Sequence, residues 1–310
     1  MRKAAVLGAL GLLVTVVTQI PGAPAAGRPH DDPLVTALSR VTRATAWQQV
    51  GTIDLQFDAE HPQGMVKLGD RFYISSVEII EPTQPCPETC DGYDRTPGRG
   101  VGHLFVVDAN GALLADVELG EGHMYHPGGI DYDGRSLWVP VAEYRPNSNA
   151  IIYRVDPETL AVEEVFRVND HIGGVVRDRV DGHVHGVSWG SRTLYEWTAR
   201  GKQLAREPNE SHFIDYQDCD YLESRKMVCG GIAGLPAPDG SSFELGGLAL
   251  IDLRHSQILH EVPVQRYSPV TNHVVTRNPI FLESIDGGLR LFTAPDDELD
   301  GAILILEATL

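Results

Sequence analysis

Lysine is nearly absent from this sequence of 310 residues. Only 4 of its 25 basic residues are lysines, and 43 acidic residues give a formal net charge of −18 at pH 7. Proteins that bind nucleic acids or anionic membranes draw most of their affinity from Lys and Arg side chains. The charge therefore argues against both classes of partner.

Helical periodicity and long apolar runs are also scarce. After the first 26 residues, no apolar stretch is long enough to cross a bilayer. From about residue 48 the chain alternates short apolar segments with Gly, Asp and Asn turns. A hydrophobic content of 42% excludes a disordered chain, and the missing heptads exclude a coiled coil. We predict an all-β globular protein.

The N-terminus has the three parts of a secretory signal. Arg2-Lys3 precedes an apolar run, and small residues follow with an Ala-x-Ala pattern near Ala25-Ala26. A membrane anchor is the alternative, but the apolar run is only marginally long enough to span a bilayer. We expect residues 1–26 to be removed, leaving a secreted monomer, extracellular or periplasmic, with no membrane span.

An N-terminal extension, residues 27–47, is expected to precede the all-β domain, residues 48–310. It contains one helical candidate, residues 32–45. Pro33 suits a first helical turn, and Leu34, Leu38 and Val41 recur at helical spacing.

Four cysteines fit an oxidising compartment. Cys86 and Cys90 enclose three residues of a Pro-rich segment, whereas Cys219 and Cys229 flank a predicted hairpin. Two local disulfides are the first choice among three pairings. A zinc site is the alternative, but its usual C-x-x-C spacing is missing.

Strand hairpins repeat along the chain. Four of them, each with a turn of three or four residues, cover residues 103–119, 150–168, 193–207 and 248–264. Further strand pairs open at five loosely similar positions, which lie 65, 45, 44 and 61 residues apart: His61, His126, His171, Asp215 and Thr276. Four strands every 40 to 50 residues are typical of a β-propeller blade. We predict five blades.

Closure of the ring requires a strand from the N-terminus. The last repeat has three strands of its own, and residues 48–56 supply a fourth that pairs with residues 302–309. This pairing removes two exposed sheet edges. Six blades are the alternative if residues 79–99 or 236–246 hold further strands. The first of these inserts is either a lid or a rigid surface loop.

Residues at the repeat openings should converge, because the innermost strand of each blade lines the central channel of a propeller. His61, His126 and His171 occupy one equivalent position in three successive repeats. Asp215 takes that position in the fourth, and Thr276 or nearby His273 in the fifth.

Imidazole suits Zn, Cu, Fe or Ni, so the three histidines are candidate ligands of a divalent metal ion in the channel. Alternatively, they bind a polar ligand directly and exchange protons with it. A structural role, in which each His fixes its own loop, is the third interpretation.

Carboxylates form a second set of candidates at the ends of the next strands. Glu78, Glu143 and Asp296 would face the same mouth if the register holds, as ligand-binding groups or as a general base. Tyr144 and Arg145 could stack on a ligand or clamp an anion. His126, His171 and Glu143 are the predicted catalytic residues.

His183-Val-His185 alternates as a strand does, so both side chains point to one face, either as two metal ligands or as one polar edge. The motifs of serine hydrolases, zinc proteases and phosphate loops are missing from the sequence.

Residues 126–139 resemble the blade core of the SMP-30/gluconolactonase and NHL-like propellers. A Pro-x-Gly opening after His126 leads through Asp133-Gly134 to Leu137-Trp-Val139, and residues 61–73 are a looser copy. The resemblance supports the fold. It implies a divalent metal held by acidic and Asn side chains in the channel, but here histidines occupy the openings, so those ligands cannot be carried over.

The sequence therefore predicts a secreted propeller enzyme that acts on a small organic molecule at the central channel. Hydrolase, lyase or cyclase chemistry, with or without a metal ion, would fit. A non-catalytic propeller that binds a ligand or serves as a scaffold is the alternative.

Overall fold

A short helix is the first regular element of the described residues. Apart from Met1, the computed structural model describes residues 32–297 and 301–310. Helix α1 (Pro33–Leu38) starts at Asp32, whose Oδ1 accepts a hydrogen bond of 2.8 Å from the N–H of Leu34. The helix is shorter than the candidate at residues 32–45.

The early end of α1 has a local cause. The N–H of Thr42 donates to Oγ1 of Thr45 (2.8 Å), and the N–H of Ala44 donates to Oγ1 of Thr42 (3.2 Å). These side-chain bonds offer the backbone an alternative to helical hydrogen bonding. The chain then enters the first strand, β1 (Trp47–Asp54).

Strands account for nearly all of the remaining regular structure. In chain order they are β2 (His61–Leu68), β3 (Arg71–Glu81), β4 (Pro85–Cys90), β5 (Tyr93–Arg95), β6 (Arg99–Val107), β7 (Leu113–Leu119), β8 (Met124–Pro127), β9 (Asp131–Tyr132), β10 (Leu137–Glu143), β11 (Ala150–Val155), β12 (Val162–Val168), β13 (Ile172–Arg177), β14 (Val184–Ser188), β15 (Thr193–Trp197), β16 (Gln203–Pro208), β17 (Asp215–Leu222), β18 (Lys226–Pro236), β19 (Ser242–Asp252), β20 (Gln257–Pro263), β21 (Ile280–Ile285), β22 (Gly288–Thr293) and β23 (Ala302–Thr309).

These strands form five antiparallel blades of a β-propeller. Their orders are β2-β3-β6-β7, β8-β10-β11-β12, β13-β14-β15-β16, β17-β18-β19-β20 and β21-β22-β23-β1. In the second blade β9 also pairs with β10. The prediction of five blades is confirmed. Within the described residues, the first insert adds only the β4–β5 hairpin, and residues 236–246 continue the β18–β19 hairpin.

The fifth blade closes the ring as predicted. β1 pairs antiparallel with β23, from Trp47 opposite Ala308 to Asp54 opposite Ala302, with a register shift between Gln49 and Gly51. The first and last strands of the ring therefore share one sheet, and the two edges they would otherwise expose are covered.

Apolar side chains fill the spaces between neighbouring blades. Successive residues of a strand point to opposite faces, so Ile151 packs toward the first blade while Ile152 packs toward the third. Both are fully buried. This alternation produces one core cluster between each pair of blades instead of a single central core.

The centre of the ring is held by Asp218, on β17. Its carboxylate accepts hydrogen bonds from the N–H groups of Met65 (2.8 Å), Ile130 (3.0 Å), Ile280 (3.1 Å) and Cys219 (3.1 Å). These donors belong to four of the five blades. Burial raises the pKa of Asp218, and the four N–H groups act in the opposite direction.

Glycines let the inner strands approach this carboxylate closely. A Cβ on Gly129 would lie 2.7 Å from the Cα of Asp218, and a Cβ on Gly64 would lie 2.6 Å from the backbone N of Ile130. Neither distance is compatible with a side chain. The backbone therefore fills the centre of the ring, and space for a ligand lies at the mouths.

Both predicted disulfides are present. Cys86 is bonded to Cys90 in the insert, and Cys219 is bonded to Cys229 across β17 and β18. In the part of the chain that the structure describes, no helix has the length and apolarity to traverse a bilayer. The predicted signal segment, residues 1–26, lies outside the described residues apart from Met1.

Candidate functional site

Four of the five repeat openings meet in one cavity, three of them at histidines and the fourth at Asp215. His61, His126 and His171 line a space of about 200 Å³ together with Tyr144 and Trp189. A neighbouring cavity of about 390 Å³ shares His61, His126 and Tyr144. The ring centroids of His61 and His126 are 6.3 Å apart, and those of His126 and His171 are 6.4 Å apart. The convergence follows from the repeat, because each histidine lies at the start of an innermost strand.

His61 is oriented by a carboxylate. Its Nδ1 lies 2.9 Å from Oδ1 of Asp297. Since an ionised carboxylate only accepts hydrogen bonds, Nδ1 carries the proton and Nε2 is left as an acceptor. Burial alone would raise the pKa of Asp297. The hydrogen bond from His61 and the nearby Arg277 outweigh burial and lower this pKa below its usual range. Asp297 therefore stays ionised beside the imidazole.

His171 is oriented by the backbone. Its Nδ1 donates to the carbonyl oxygen of Glu143 at 2.8 Å, so its Nε2 is also an acceptor in the neutral ring. The side chain is only 6% exposed. Burial lowers the pKa of His171, which keeps the ring neutral.

His126 is the most enclosed of the three. Burial, together with the nearby His61 and His171, lowers its pKa well below the usual value. Its ring stacks on Tyr144 with centroids 4.3 Å apart. Among the described residues no group hydrogen-bonds to the buried Nε2. A buried polar atom without a partner is costly, so this nitrogen is a natural binding point for a ligand.

Glu143 acts at the site mainly through its backbone. Its Oε2 accepts a hydrogen bond of 2.6 Å from Nε of Arg145, and its Oε1 accepts one of 2.7 Å from Asn149. The carboxylate is thereby committed to a buried ion pair, while the carbonyl holds His171. The geometry gives Glu143 a positioning role, and its predicted catalytic role remains untested.

The β4–β5 hairpin, closed by the Cys86–Cys90 disulfide, covers part of the mouth. Tyr93 lies 3.6 Å from the guanidinium of Arg145, and the guanidinium of Arg95 lies 4.7 Å from the ring centroid of Trp189. These cation–aromatic contacts join the insert to residues of the second and third blades. This arrangement matches the lid interpretation of the insert.

Asp215 lines the cavity from the fourth blade. Its carboxylate pairs with Arg192 at 3.2 Å and is about half exposed. Burial raises its pKa above the usual value, although Arg192 acts in the opposite direction. Asp215 therefore joins the histidines as the sequence predicted, but with a cationic partner of its own.

The other predicted residues lie outside the two cavities. Glu78 pairs with Val101 within the first blade. His273 Nδ1 lies 2.9 Å from Glu244, and the fully buried Asp296 accepts hydrogen bonds from Ser268 and Thr271. His273 therefore ties the segment between β20 and β21 to β19 of the fourth blade. Asp296 ties the same segment to the residues that follow β22.

A metal site at the mouth is not preformed. Three imidazoles bound to one zinc ion at ~2.1 Å have ring centroids about 5 Å apart, whereas the separations here are 6.3 and 6.4 Å. The described residues contain one group of three metal-ligating side chains whose ligand atoms lie within 4.8 Å of one another. It consists of Asp181, His183 and Glu196. The metal ion at His61, His126 and His171 stays a prediction.

Two residues of the site escaped the sequence argument. Trp189 contacts His171 edge-to-face at 4.8 Å, and Asp297 orients His61. Asp297 directly follows Asp296, and only the register of the loop decides which of the two faces the mouth. Trp189 lies outside the repeat openings, in a short 3₁₀ turn that follows β14.

The fold and this cavity define a five-bladed β-propeller with a histidine-lined mouth. The chain belongs to the DUF6454 family, a family of unknown function, whose sequence pattern matches residues 24–310. No curated protein sequence matches it.

Several solved structures are similar to the chain. The tail fiber of Staphylococcus aureus phage P68 has 8% identity and a TM-score of 0.48, over 89% of this chain and 56% of that chain. A luciferin-regenerating enzyme has 11% identity and a TM-score of 0.45, over 86% and 95%. The hydrazine synthase of Kuenenia stuttgartiensis has 13% identity and a TM-score of 0.40, over 81% and 60%. This chain spans only a little over half of the tail fiber, and at these identities no activity transfers to it.

Proposed function

We propose that this protein is an enzyme that acts on a small hydroxylated organic molecule by proton transfer at the histidine-lined mouth. One observation carries the proposal. His61, His126 and His171 share a cavity, and in two of them Nδ1 is occupied by a hydrogen bond that leaves Nε2 available. Histidines that only fixed their loops would have no need of a common open space.

His61 is the general base of this proposal. Asp297 fixes its tautomer and would stabilise the imidazolium that forms when Nε2 takes a proton. A positioned acid–base group of this kind contributes roughly 10²- to 10⁴-fold to a rate. The same ring can return the proton to a leaving oxygen.

The substrate class follows from the remaining two rings. Neutral His171 presents Nε2 as an acceptor, so a well-matched ligand offers an O–H or N–H donor there, and the unpartnered Nε2 of His126 adds a second polar contact. Tyr144 and Trp189 add flat apolar walls. A ring with several hydroxyl groups suits both features.

Nucleophilic catalysis by a serine has little support here. The hydroxyl oxygen of Ser188 accepts the N–H of Thr193 at 2.9 Å, and the hydroxyl donates to the carbonyl of Trp189 at 3.5 Å. Among the described residues no histidine hydrogen-bonds to it. Activation of water is the simpler route. Together with the resemblance to gluconolactonases, this makes sugar lactones the first substrates to test.

In such a reaction His61 removes a proton from water as the water oxygen bonds to the lactone carbonyl carbon. The ring C–O bond then breaks, and His61 delivers the proton to the departing oxygen. Lyase and cyclisation reactions would use the same base on a C–H or O–H group.

A metal ion is a second form of the proposal, favoured by the orphaned Nε2 of His126. Histidines that bind metals usually donate their other N–H to a carboxylate or a carbonyl, as His61 and His171 do. After a small inward movement His61, His126 and His171 would hold the ion. A bound ion supplies polarisation of the substrate oxygen.

Secretion is part of the proposal. The two disulfides suit an oxidising compartment, and the acidic surface argues for a small-molecule substrate over nucleic acid. A monomer is sufficient for this function, because one chain supplies all the residues invoked.

The test is turnover of a panel of sugar lactones and aryl esters by the wild type and by His61→Gln. We expect kcat/KM to fall at least ~100-fold in the variant. His255→Gln is the matched control, since His255 is exposed and distant from the mouth residues in sequence. Equal turnover by His61→Gln would overturn the role of His61, and saturable binding without turnover would favour the non-catalytic ligand-binding alternative.

A further inference from the structure

A second group of metal-ligating side chains lies at the far end of β13 from His171, in the turn to β14 and on β15. Nδ1 of His183 is 2.6 Å from Oε1 of Glu196 and 3.5 Å from Oδ2 of Asp181. The three ligand atoms lie within 4.8 Å of one another. One nitrogen and two carboxylate oxygens therefore converge, and Nδ1 of His183 donates to Glu196 while no ion is bound. An ion that binds here would displace that proton, because a metal-bound imidazole nitrogen carries none.

The cluster is open to solvent without being a loose surface patch. The side chains of Asp181, His183 and Glu196 are 26%, 30% and 23% exposed. The N–H of His183 donates to Oδ1 of Asp181 at 2.9 Å, which fixes that carboxylate within the turn. An ion has an entry path, and its ligands are already oriented.

His185 adds an independent sign of an unfilled polar site. It lies on β14, two residues after His183, and its Cα is paired with that of Glu196 on β15. Paired residues of adjacent strands share a face of the sheet, so His185 and Glu196 lie on one face. The residue is 4% exposed, and its Nε2 has no hydrogen-bond partner among the described residues. Buried nitrogens without partners are rare in native structures.

The charge of the neighbourhood also suits a divalent cation. Arg225, in the β17–β18 turn of the fourth blade, donates to Asp178 at 2.6 Å and to Asp181. Three carboxyl groups, those of Asp178, Asp181 and Glu196, therefore lie around one guanidinium. Arg225 thus orients a ligand and links the cluster to the next blade.

We propose that Asp181, His183 and Glu196 form a binding site for a divalent transition-metal ion, with zinc as the best-matched ion. Zinc accepts mixed imidazole and carboxylate ligands and leaves a fourth position to water or to a further side chain. The ion stabilises the third blade and its junction with the fourth. This site is separate from the mouth and does not depend on the proposed enzymatic function.

The test is zinc bound per chain after equilibrium dialysis, together with thermal unfolding with and without zinc. We expect His183→Ala and Glu196→Gln each to lose one bound zinc per chain relative to the wild type. Zinc should raise the unfolding midpoint of the wild type by about 3 °C or more at saturation, and this increase should vanish in both variants. His255→Ala is the matched control and should behave as the wild type.

His126→Ala separates this site from the mouth. The proposal requires that His126→Ala keep the zinc-dependent increase in the unfolding midpoint. It is overturned if His183→Ala and Glu196→Gln bind as much zinc as the wild type, or if only His126→Ala loses zinc. Glu196→Gln preserves the size of the side chain. If His183→Ala folds poorly, the zinc bound by Glu196→Gln alone supports or overturns the proposed site.

Discussion

The histidine-lined mouth of this propeller and its hub, the centre of the ring around Asp218, both contain buried polar groups. The two groups differ in whether their hydrogen bonds are made. At the hub, Asp218 accepts hydrogen bonds from four backbone N–H groups and the surrounding glycines leave no space. At the mouth, His126 is equally enclosed, but its Nε2 has no partner among the described residues and two cavities adjoin the ring.

This difference separates a structural role from a functional one. A saturated polar group contributes to stability because its removal leaves buried partners unpaired. An unsaturated one costs stability and is retained where a ligand completes it. Asp218, at the hub, and Asp215, at the mouth, are three residues apart on β17. One strand therefore supplies both a structural carboxyl group and a candidate functional one.

The largest effect is expected at the hub. Asp218→Ala leaves four buried N–H groups from four blades without an acceptor, so we expect the free energy of unfolding to fall by about 4 kcal/mol or more. Guanidinium unfolding measures it, with Asp239→Ala in an exposed turn as the control. A loss of less than about 1 kcal/mol would show that the hub carboxylate is dispensable.

The two disulfides differ in the same way, since one lies in the ring beside the hub and the other lies in the hairpin at the mouth. Cys219 follows Asp218 and is buried with Cys229, so replacing both by Ala should lower the free energy of unfolding by about 3 kcal/mol. Cys86→Ser with Cys90→Ser should change the stability of the ring by less than about 1 kcal/mol. Instead it should raise KM, because the hairpin covers the mouth. Equal destabilisation by both pairs in guanidinium unfolding would contradict this division.

A change in pH should alter stability by no more than the loss of the Cys219–Cys229 disulfide does. Burial raises the pKa of Asp131, which lies in the inner strand of the second blade, to about 6. The folded state therefore binds more protons than the unfolded state between about pH 4 and 6, and this residue's contribution to stability falls as pH rises through that window, by up to about 3 kcal/mol.

Asp131→Asn isolates the contribution of this carboxyl group. The difference in unfolding free energy between the variant and the wild type should shift in favour of the variant as pH rises from 4 to 6, and then level off. A difference that stays constant with pH would contradict the assignment.

The fold could be predicted from the sequence because its repeat is local. Turn residues and strand alternation recur within each blade, and the pairing of β1 with β23 follows from a last repeat that lacks one strand. The convergence of His61, His126 and His171 follows from the same repeat, since equivalent positions of successive blades meet at the axis.

Other parts of the site depend on contacts that have no sequence period. Asp297 and Trp189 reach the mouth from loops, and the register that turns Asp296 away and Asp297 inward is set by Ser268 and Thr271. The commitment of Glu143 to Arg145 likewise depends on a local turn. The role of Asp218 could not be predicted because a single Asp in a strand gives no hint of three donors from distant parts of the chain.

The most direct test of the central claim is the free energy of unfolding of His126→Leu, measured beside its kcat/KM. We predict a free energy of unfolding within about 1 kcal/mol of the wild type or above it, because the substitution removes an unpartnered buried nitrogen. We also predict that kcat/KM falls about 10-fold, because the ligand loses one hydrogen-bond partner. A loss of stability comparable to that of Asp218→Ala with turnover retained would contradict the central claim and make the mouth histidines structural.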